Sequence, residues 1–207
     1  MQHRWRRAVQ RALLQVETIV LPRMCVVCEG LIAPGRSSLA CDACWGRVPP
    51  LPRPRCDRCG HPVGGESCRW CPLLPPYVRA ARSWCWAPGG VAERLLYAFK
   101  YDGWRALAPE MADRMARLDW PEDVVHERAA LVPVPLATAR ERERGFNQSA
   151  ELARALAPRF GIPVWDDVIE RPRRTTSQTR LTPEQRLYNV AHAFRVVAGA
   201  PAKLYGA

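Results

Sequence analysis

No apolar run in the 207 residues approaches the roughly 20 that cross a bilayer, so a membrane span is not expected. A convincing export signal is also lacking. Residues 1–22 begin with Arg4, Arg6, Arg7 and Arg11 ahead of an apolar stretch, but Glu17 interrupts that stretch and no small-x-small cleavage site follows. Trp5, Val9, Leu13, Val16 and Val20 recur at helical spacing instead, which predicts an amphipathic helix over 1–22 and a cytoplasmic protein. Acidic charge is scarce: Asp and Glu number 20 against 31 Lys and Arg, for a formal net charge of +11. That balance suits phosphate-bearing partners, whether nucleotide or nucleic acid.

Cysteine, in contrast, is plentiful and patterned. Eight of the nine fall in four pairs, Cys25-x-x-Cys28, Cys41-x-x-Cys44, Cys56-x-x-Cys59 and Cys68-x-x-Cys71. A two-residue gap forms a tight knuckle whose sulfurs converge on one metal at about 2.3 Å, and two knuckles complete a tetrahedron. Gly30, Gly60 and Gly65 lie around the knuckles, where turns call for residues tolerant of positive φ. The loops between knuckles have 12, 11 and 8 residues, too few for a core without a staple. A disulfide framework would need an oxidising compartment, and a thioredoxin-like pair needs one Cys-x-x-Cys beside a βαβ unit. Two structural zinc ions are therefore expected, with no open coordination position for catalysis.

As thiolates holding two zinc ions, the eight would bring the net charge from +11 to about +7, still basic. Sequential sites close the shortest loops; an interleaved cross-brace is the alternative. Trp45 and Trp70 beside the knuckles either cover the metal sites or stack on bases. Cys85, between Trp84 and Trp86, reads as a core thiol.

Beyond Val78 longer elements begin. Residues 78–86 read as a strand ended by Gly89-Gly90, and Val91, Leu95, Leu96 and Phe99 mark a helix stopped at Gly103. A second helix is expected over 104–118 and a short strand at 130–135. A third helix is capped by Asn147 and stopped by Pro158, and strands follow at 162–169 and from Phe194. Such alternation predicts an α/β domain with a parallel sheet over 78–207, preceded by the cysteine module at 23–77. At the end of the 130–135 strand stand Arg140, Arg142 and Arg144 around a helix start, suited to an anion. The same alternation of Arg and Glu over 140–144 also fits solvated ion pairs. Thr182-Pro183-Glu184 reads as a helix cap with proline at the first position.

Several features together resemble the ComF family of bacterial proteins, associated with DNA uptake and with a gluconate-utilisation relative. They are the four knuckles, Phe99-Lys-Tyr101, Val132-Pro-Val-Pro135 followed by Arg144-Gly-Phe-Asn-Gln148, and Gln178 with Arg186-x-x-Asn-Val190 and Ala193-Phe194. The resemblance spans about residues 20–197. It implies a double zinc ribbon followed by a phosphoribosyltransferase-like domain. In that fold Pro135, Leu136, Arg140 and Arg144, with Lys100 nearby, would face the pyrophosphate of phosphoribosyl pyrophosphate. Gln178, Arg186 and Asn189 would belong to a hood on the acceptor side, and Mg²⁺ would ride on the substrate.

One departure from the family pattern is large. The Asp-Asp-x-x-Thr-Thr-Gly loop that binds ribose 5-phosphate should follow Phe194-Arg-Val-Val197, and it is absent. Asp166-Asp167 and Thr175-Thr176 are lookalikes: no Thr-Thr-Gly follows the first, which precedes the hood stretch instead of following it, and the second lies within that stretch. The expectation is a transferase-like domain truncated before that loop, without turnover. Its partners would be single-stranded DNA or a phosphoribosyl pyrophosphate-like ligand, together with competence-machinery proteins. The alternative is a phosphoribosyltransferase that has lost its C-terminal loop.

Overall fold

The computed structural model describes residues 22–33, 35–65, 67–172, 182–190 and 193–200. The helix expected over 1–22, Gln178 and the last residues fall outside these, apart from Pro22.

Each half of the cysteine module begins with the same knuckle. In the first, the Cys25 amide donates to the Gly30 carbonyl at 2.8 Å and the Glu29 amide donates back to the Cys25 carbonyl at 2.9 Å. In the second, Cys56 donates to His61 at 2.9 Å and Gly60 donates to Cys56 at 2.8 Å. The fifth residue of each turn takes a left-handed conformation, Glu29 at φ 59° and Gly60 at φ 70°. Of the three glycines expected to supply positive φ, only Gly60 does so; Gly30 lies one residue beyond the position that needs it, and Gly65 is outside the knuckle. A Cβ on Gly60 would sit 2.7 Å from the Ala81 carbonyl oxygen, so close chain passage adds a second reason for glycine there. The other half of each ribbon is a short turn, helix α1 (Asp42–Gly46) in the first and a 3-10 turn (Cys71–Leu73) in the second.

Helix α2 (Gly90–Lys100) buries Ala92, Leu95, Ala98 and Phe99, the 3.6-residue periodicity the sequence predicts. Gly103, at φ 75°, then turns the chain. The helix expected over 104–118 is a 3-10 turn (Arg105–Leu107) leading into α3 (Ala108–Ala116), with Pro109 in the first turn where it forfeits no helical hydrogen bond. A short helix α4 (Glu122–Glu127), which the sequence reading missed, carries Glu122 and Asp123 in its first turn. Arg79 pairs with Asp123 and with Glu127, tying the 78–82 segment to α4.

Helix α5 (Thr138–Arg144) ends at Gly145 in the left-handed region, and α6 (Gln148–Phe160) starts from Asn147, whose Oδ1 accepts the Ser149 amide at 3.0 Å. Pro158 does not stop α6: the helix runs to Phe160 and terminates at Gly161, φ 67°. So near the end proline removes one backbone bond and its fixed φ still suits the helix, so the glycine sets the boundary. Helix α3 packs against α6, clamped by Arg159 on Asp113 at 2.6 Å and on the Pro109 carbonyl at 3.1 Å.

Strand structure is sparse among the described residues. The segments at 131 and 164 meet at one parallel bridge, Leu131 with Val164, supported by bonds of 2.8 and 2.9 Å. Strands β1 (Ile169–Glu170) and β2 (Arg195–Val196) pair antiparallel. Helix α7 (Pro183–Val190) lies between them and begins in a reciprocal cap: Gln185 accepts the Thr182 amide, and Thr182 accepts the Gln185 amide. Among the described residues the expected parallel sheet is thus represented by one parallel bridge, beside a two-stranded antiparallel ladder. Likewise 78–86 forms no strand, only an antiparallel bridge from Cys85 to Pro50; the Arg79 and Arg82 side chains direct that segment toward the α4 region instead.

One core runs from the first ribbon into the helices. Cys25, Val27, Ile32, Ala40, Cys44, Trp45 and Val48 cluster with Ala92, Leu95, Phe99, Leu107, Met111 and Phe146. Arg114 lies over the Trp45 ring at 3.8 Å, with Trp84 on its other flank at 5.8 Å. The second ribbon contributes nothing to that cluster. It is held instead by polar bonds, the Arg58 side chain donating to Val78 and Pro75 carbonyls and the Ala81 amide to Arg58. No helix among the described residues is long and apolar enough to cross a membrane.

Candidate metal centres and the basic turn

The eight paired cysteines gather into two groups, Cys25, Cys28, Cys41 and Cys44, then Cys56, Cys59, Cys68 and Cys71, with all sulfurs in a group within 4.8 Å of one another. Pairing is therefore sequential, as loop length favours. Four thiolates around zinc at about 2.3 Å lie about 3.8 Å apart. The Cys28–Cys41 separation is 3.7 Å, and Cys56–Cys71 and Cys59–Cys68 are each 3.3 Å. These are far beyond the roughly 2.05 Å of a disulfide, and all nine cysteines are free. Both donor sets fit a structural zinc ion.

Backbone and arginine donors surround the sulfurs. Cys25 accepts from the Val27 amide at 3.4 Å and the Cys41 amide at 3.3 Å, and Cys44 accepts from Arg47 at 3.3 Å. Burial raises the Cys25 thiol, but the amides around it outweigh burial and bring it down to about 6. Burial pushes Cys44 up to about 12, against the pull of Arg47. In the second centre the Cys59 amide, then Cys71, lowers Cys56 to about 6, while sharing a proton with Cys56 pushes Cys71 up to about 12. Each centre thus pairs a readily ionised thiol with a reluctant one, and zinc binding would require all four as thiolates. Burial likewise raises Cys85, which packs against the main core.

Trp45, next to Cys44, is buried against Trp84 at 5.9 Å, so it offers no face to a base. Trp70 stacks on His61 at 5.3 Å with Arg69 at 4.7 Å. A 480 Å³ cleft flanks the second centre, lined by Arg53, Arg55, Arg82, Asp57 and Asp119 among others, and none of the expected anion-site residues borders it.

Those residues surround α5. The Asn147 side-chain amide donates to the Val134 carbonyl at 3.1 Å and so fixes Pro135 and Leu136 against the start of α6. From the end of α5, Arg144 reaches back to the end of α2, donating to the Tyr101 hydroxyl at 3.2 Å and lying 4.8 Å from that ring. Lys100, the residue before Tyr101, is half-buried at the same helix end. Arg105 donates to the Gly145 carbonyl and lies 4.6 Å from the Phe146 ring, which meets Phe99 at 5.8 Å.

The double zinc ribbon domain family matches residues 16–73. The DNA utilization protein YhgH of Salmonella typhi is 30% identical over 192 residues, covering 86% of this chain and 79% of the relative. The chain belongs to the ComF family. Its other relatives include YhgH of Escherichia coli K12, 29% identical over 86% of this chain and 79% of that protein. Competence protein F of Haemophilus influenzae is 33% identical over 42% of this chain and 35% of its own length. No solved structure matches.

Within this ComF chain, Arg140 lies near enough to Arg171 to lower its pKa, after burial, which is the larger cause. Arg186 is exposed and Asn189 half-buried on α7, and Gln178 lies outside the described residues. The sequence reading overlooked Arg105 and Tyr101 as companions of Arg144. Helical spacing would have flagged Tyr101, one turn past Tyr97 and off the Leu95–Phe99 face.

Proposed function

We propose that this ComF protein handles single-stranded DNA in a competence or DNA-utilisation process. Its ribbons are scaffold, and its basic turn (Pro135, Leu136, Arg140, Arg144, with Lys100) meets sugar–phosphate anions. The observation that carries this is the alignment of 86% of the chain with a protein named for DNA utilization. The net charge of +11 and the arginines around α5 support it. With three such phosphate contacts on a single strand, the salt slope is about −2, so raising salt from 50 to 200 mM weakens binding about 20-fold. Fluorescence anisotropy of a labelled oligonucleotide measures this directly, and Arg140→Gln and Arg144→Gln should each flatten the slope by somewhat under one unit. Binding that ignores salt would sink the proposal.

A second reading is a phosphoribosyltransferase-type domain. It is favoured by the parallel bridge between Leu131 and Val164, with α5 and α6 as the crossover and the basic turn at the end of the first segment. There Gln178, Arg186 and Asn189 form the hood, and Mg²⁺ enters only with phosphoribosyl pyrophosphate. No Asp-Asp-x-x-Thr-Thr-Gly stretch occurs among the 207 residues, so this chain alone should release no pyrophosphate from that compound. Steady release in a coupled assay would make the chain an enzyme. Competence-machinery proteins are the macromolecular partners this reading of the family supports, and co-purification from competent cells tests them.

A further inference from the structure

We infer that Tyr97, Tyr101 and Trp104, with Lys100, Arg105 and Arg144 around them, form a surface on which unpaired bases stack. This rests on the single-stranded DNA reading and gives it a place. The three aromatic residues are 57%, 56% and 44% exposed, although rings of this size are costly to leave in water. They form one continuous feature. Tyr97 on α2 and Tyr101 at its C-cap stand one helical turn apart with ring centroids 4.9 Å apart. Gly103 then reverses the chain, and the Trp104 amide donates to the Ala98 carbonyl at 3.2 Å, which seats Trp104 at the same helix end.

The opposite side of α2 is committed to the core through Leu95, Ala98 and Phe99, so the tyrosines cannot turn inward. Cations are interleaved: Arg144 on Tyr101, Arg105 held by Gly145 and Phe146, and Lys100, half-buried, between Tyr97 and Tyr101 in the chain. Asp102 is the one carboxylate between residues 97 and 105, and Glu141 and Glu143 are exposed on α5.

Rings flanked by positive charge fit a partner that is both anionic and flat-faced. A duplex hides its base faces and a free phosphate has none, whereas a single strand presents both at every nucleotide. Tyr97 and Trp104 supply the stacking faces. Tyr101, already engaged by Arg144, fixes the cation beside them.

The test uses the full zinc-loaded chain with a 20-nucleotide thymidine strand, an abasic strand of equal length, and a duplex. Tyr97→Ala and Trp104→Ala lie on the surface, and zinc content and circular dichroism check that both variants fold. Each should weaken binding to the thymidine strand roughly tenfold, leaving the salt slope and the abasic strand's affinity unchanged. A double variant that binds thymidine like the wild type overturns the stacking surface while leaving DNA binding intact. An equal loss on the abasic strand overturns it too, because the rings would then be acting through the fold. If the double variant binds DNA normally but no longer self-associates in sedimentation, the surface belongs to a second copy of the chain. A wild-type chain that binds no single strand at low salt removes the DNA reading itself.

Discussion

Replacing Cys25 by serine removes a ligand from a centre whose sulfurs sit at the edge of the main core, whereas Cys68→Ser does the same to a centre outside it. Val27, Ile32, Trp45 and Val48, each no more than 9% exposed, are held in the core by the first ribbon's fold. Returning four such side chains to water costs about 6–12 kcal/mol as an upper bound. That is as large as the whole stability of an ordinary domain, about 5–15 kcal/mol. Among the described apolar side chains of the second ribbon, Leu51 and Cys59 are buried to a similar degree, and Leu51 represents about 2–3 kcal/mol.

Cys25→Ser should therefore unfold the molecule or lower its Tm by more than about 10 °C, at about 2–4 °C per kcal/mol for this size. Cys68→Ser should lose one zinc and become open to protease over residues 50–75 while α2, α3 and α6 melt nearly as before. The assay is zinc stoichiometry with a thermal melt followed by far-ultraviolet circular dichroism, and limited proteolysis for the local effect. Equal falls in Tm for the two variants would refute the reasoning, since they would place both ribbons in one cooperative unit.

Gly60→Ala combines a left-handed backbone with a 2.7 Å approach to the Ala81 carbonyl, and should weaken the second centre by at least about 1–2 kcal/mol. In chelator competition that is roughly a tenfold or greater loss of zinc affinity at that site alone. Asn147→Ala removes both the cap of α6 and the bond to Val134, and should lower urea stability by about 1–2 kcal/mol; an unchanged urea midpoint would mean water replaces the cap. Arg114→Met removes a cation enclosed by Trp45 and Trp84, at a cost of about 2 kcal/mol in the same measurement. Arg114→Lys should recover only part of that, because the planar guanidinium is what fits between the rings.

What could be read from the chain was local. Cys-x-x-Cys spacing specifies its own geometry, and sequential pairing follows because each centre closes within 20 residues. The caps at Asn147 and Thr182 were legible for the same reason, since cap and capped amide are two or three residues apart. Pro158 and Gly30 misled because a neighbouring residue, Gly161 or Glu29, takes the conformation that matters. Long-range facts left no local trace. The burial of Trp45 depends on Trp84 and Arg114, far along the chain, and the antiparallel sense of β1 and β2 depends on how α7 returns the chain. At the basic turn the arginines were visible, but the Arg144–Tyr101 contact was not, because nothing in either segment names the other.

The shared core also sets a schedule for synthesis. Residues 25–44 can collect their metal as soon as they leave the ribosome, yet Phe146, the last buried member of that core, is translated roughly 100 residues later. At about 5–20 residues per second the nascent ribbon waits about 5–20 s before the core around Ile32, Trp45 and Val48 is complete. During that interval the first ribbon is metallated but sticky, a natural client for a ribosome-associated chaperone, while the second, with little apolar surface to hide, needs no such escort.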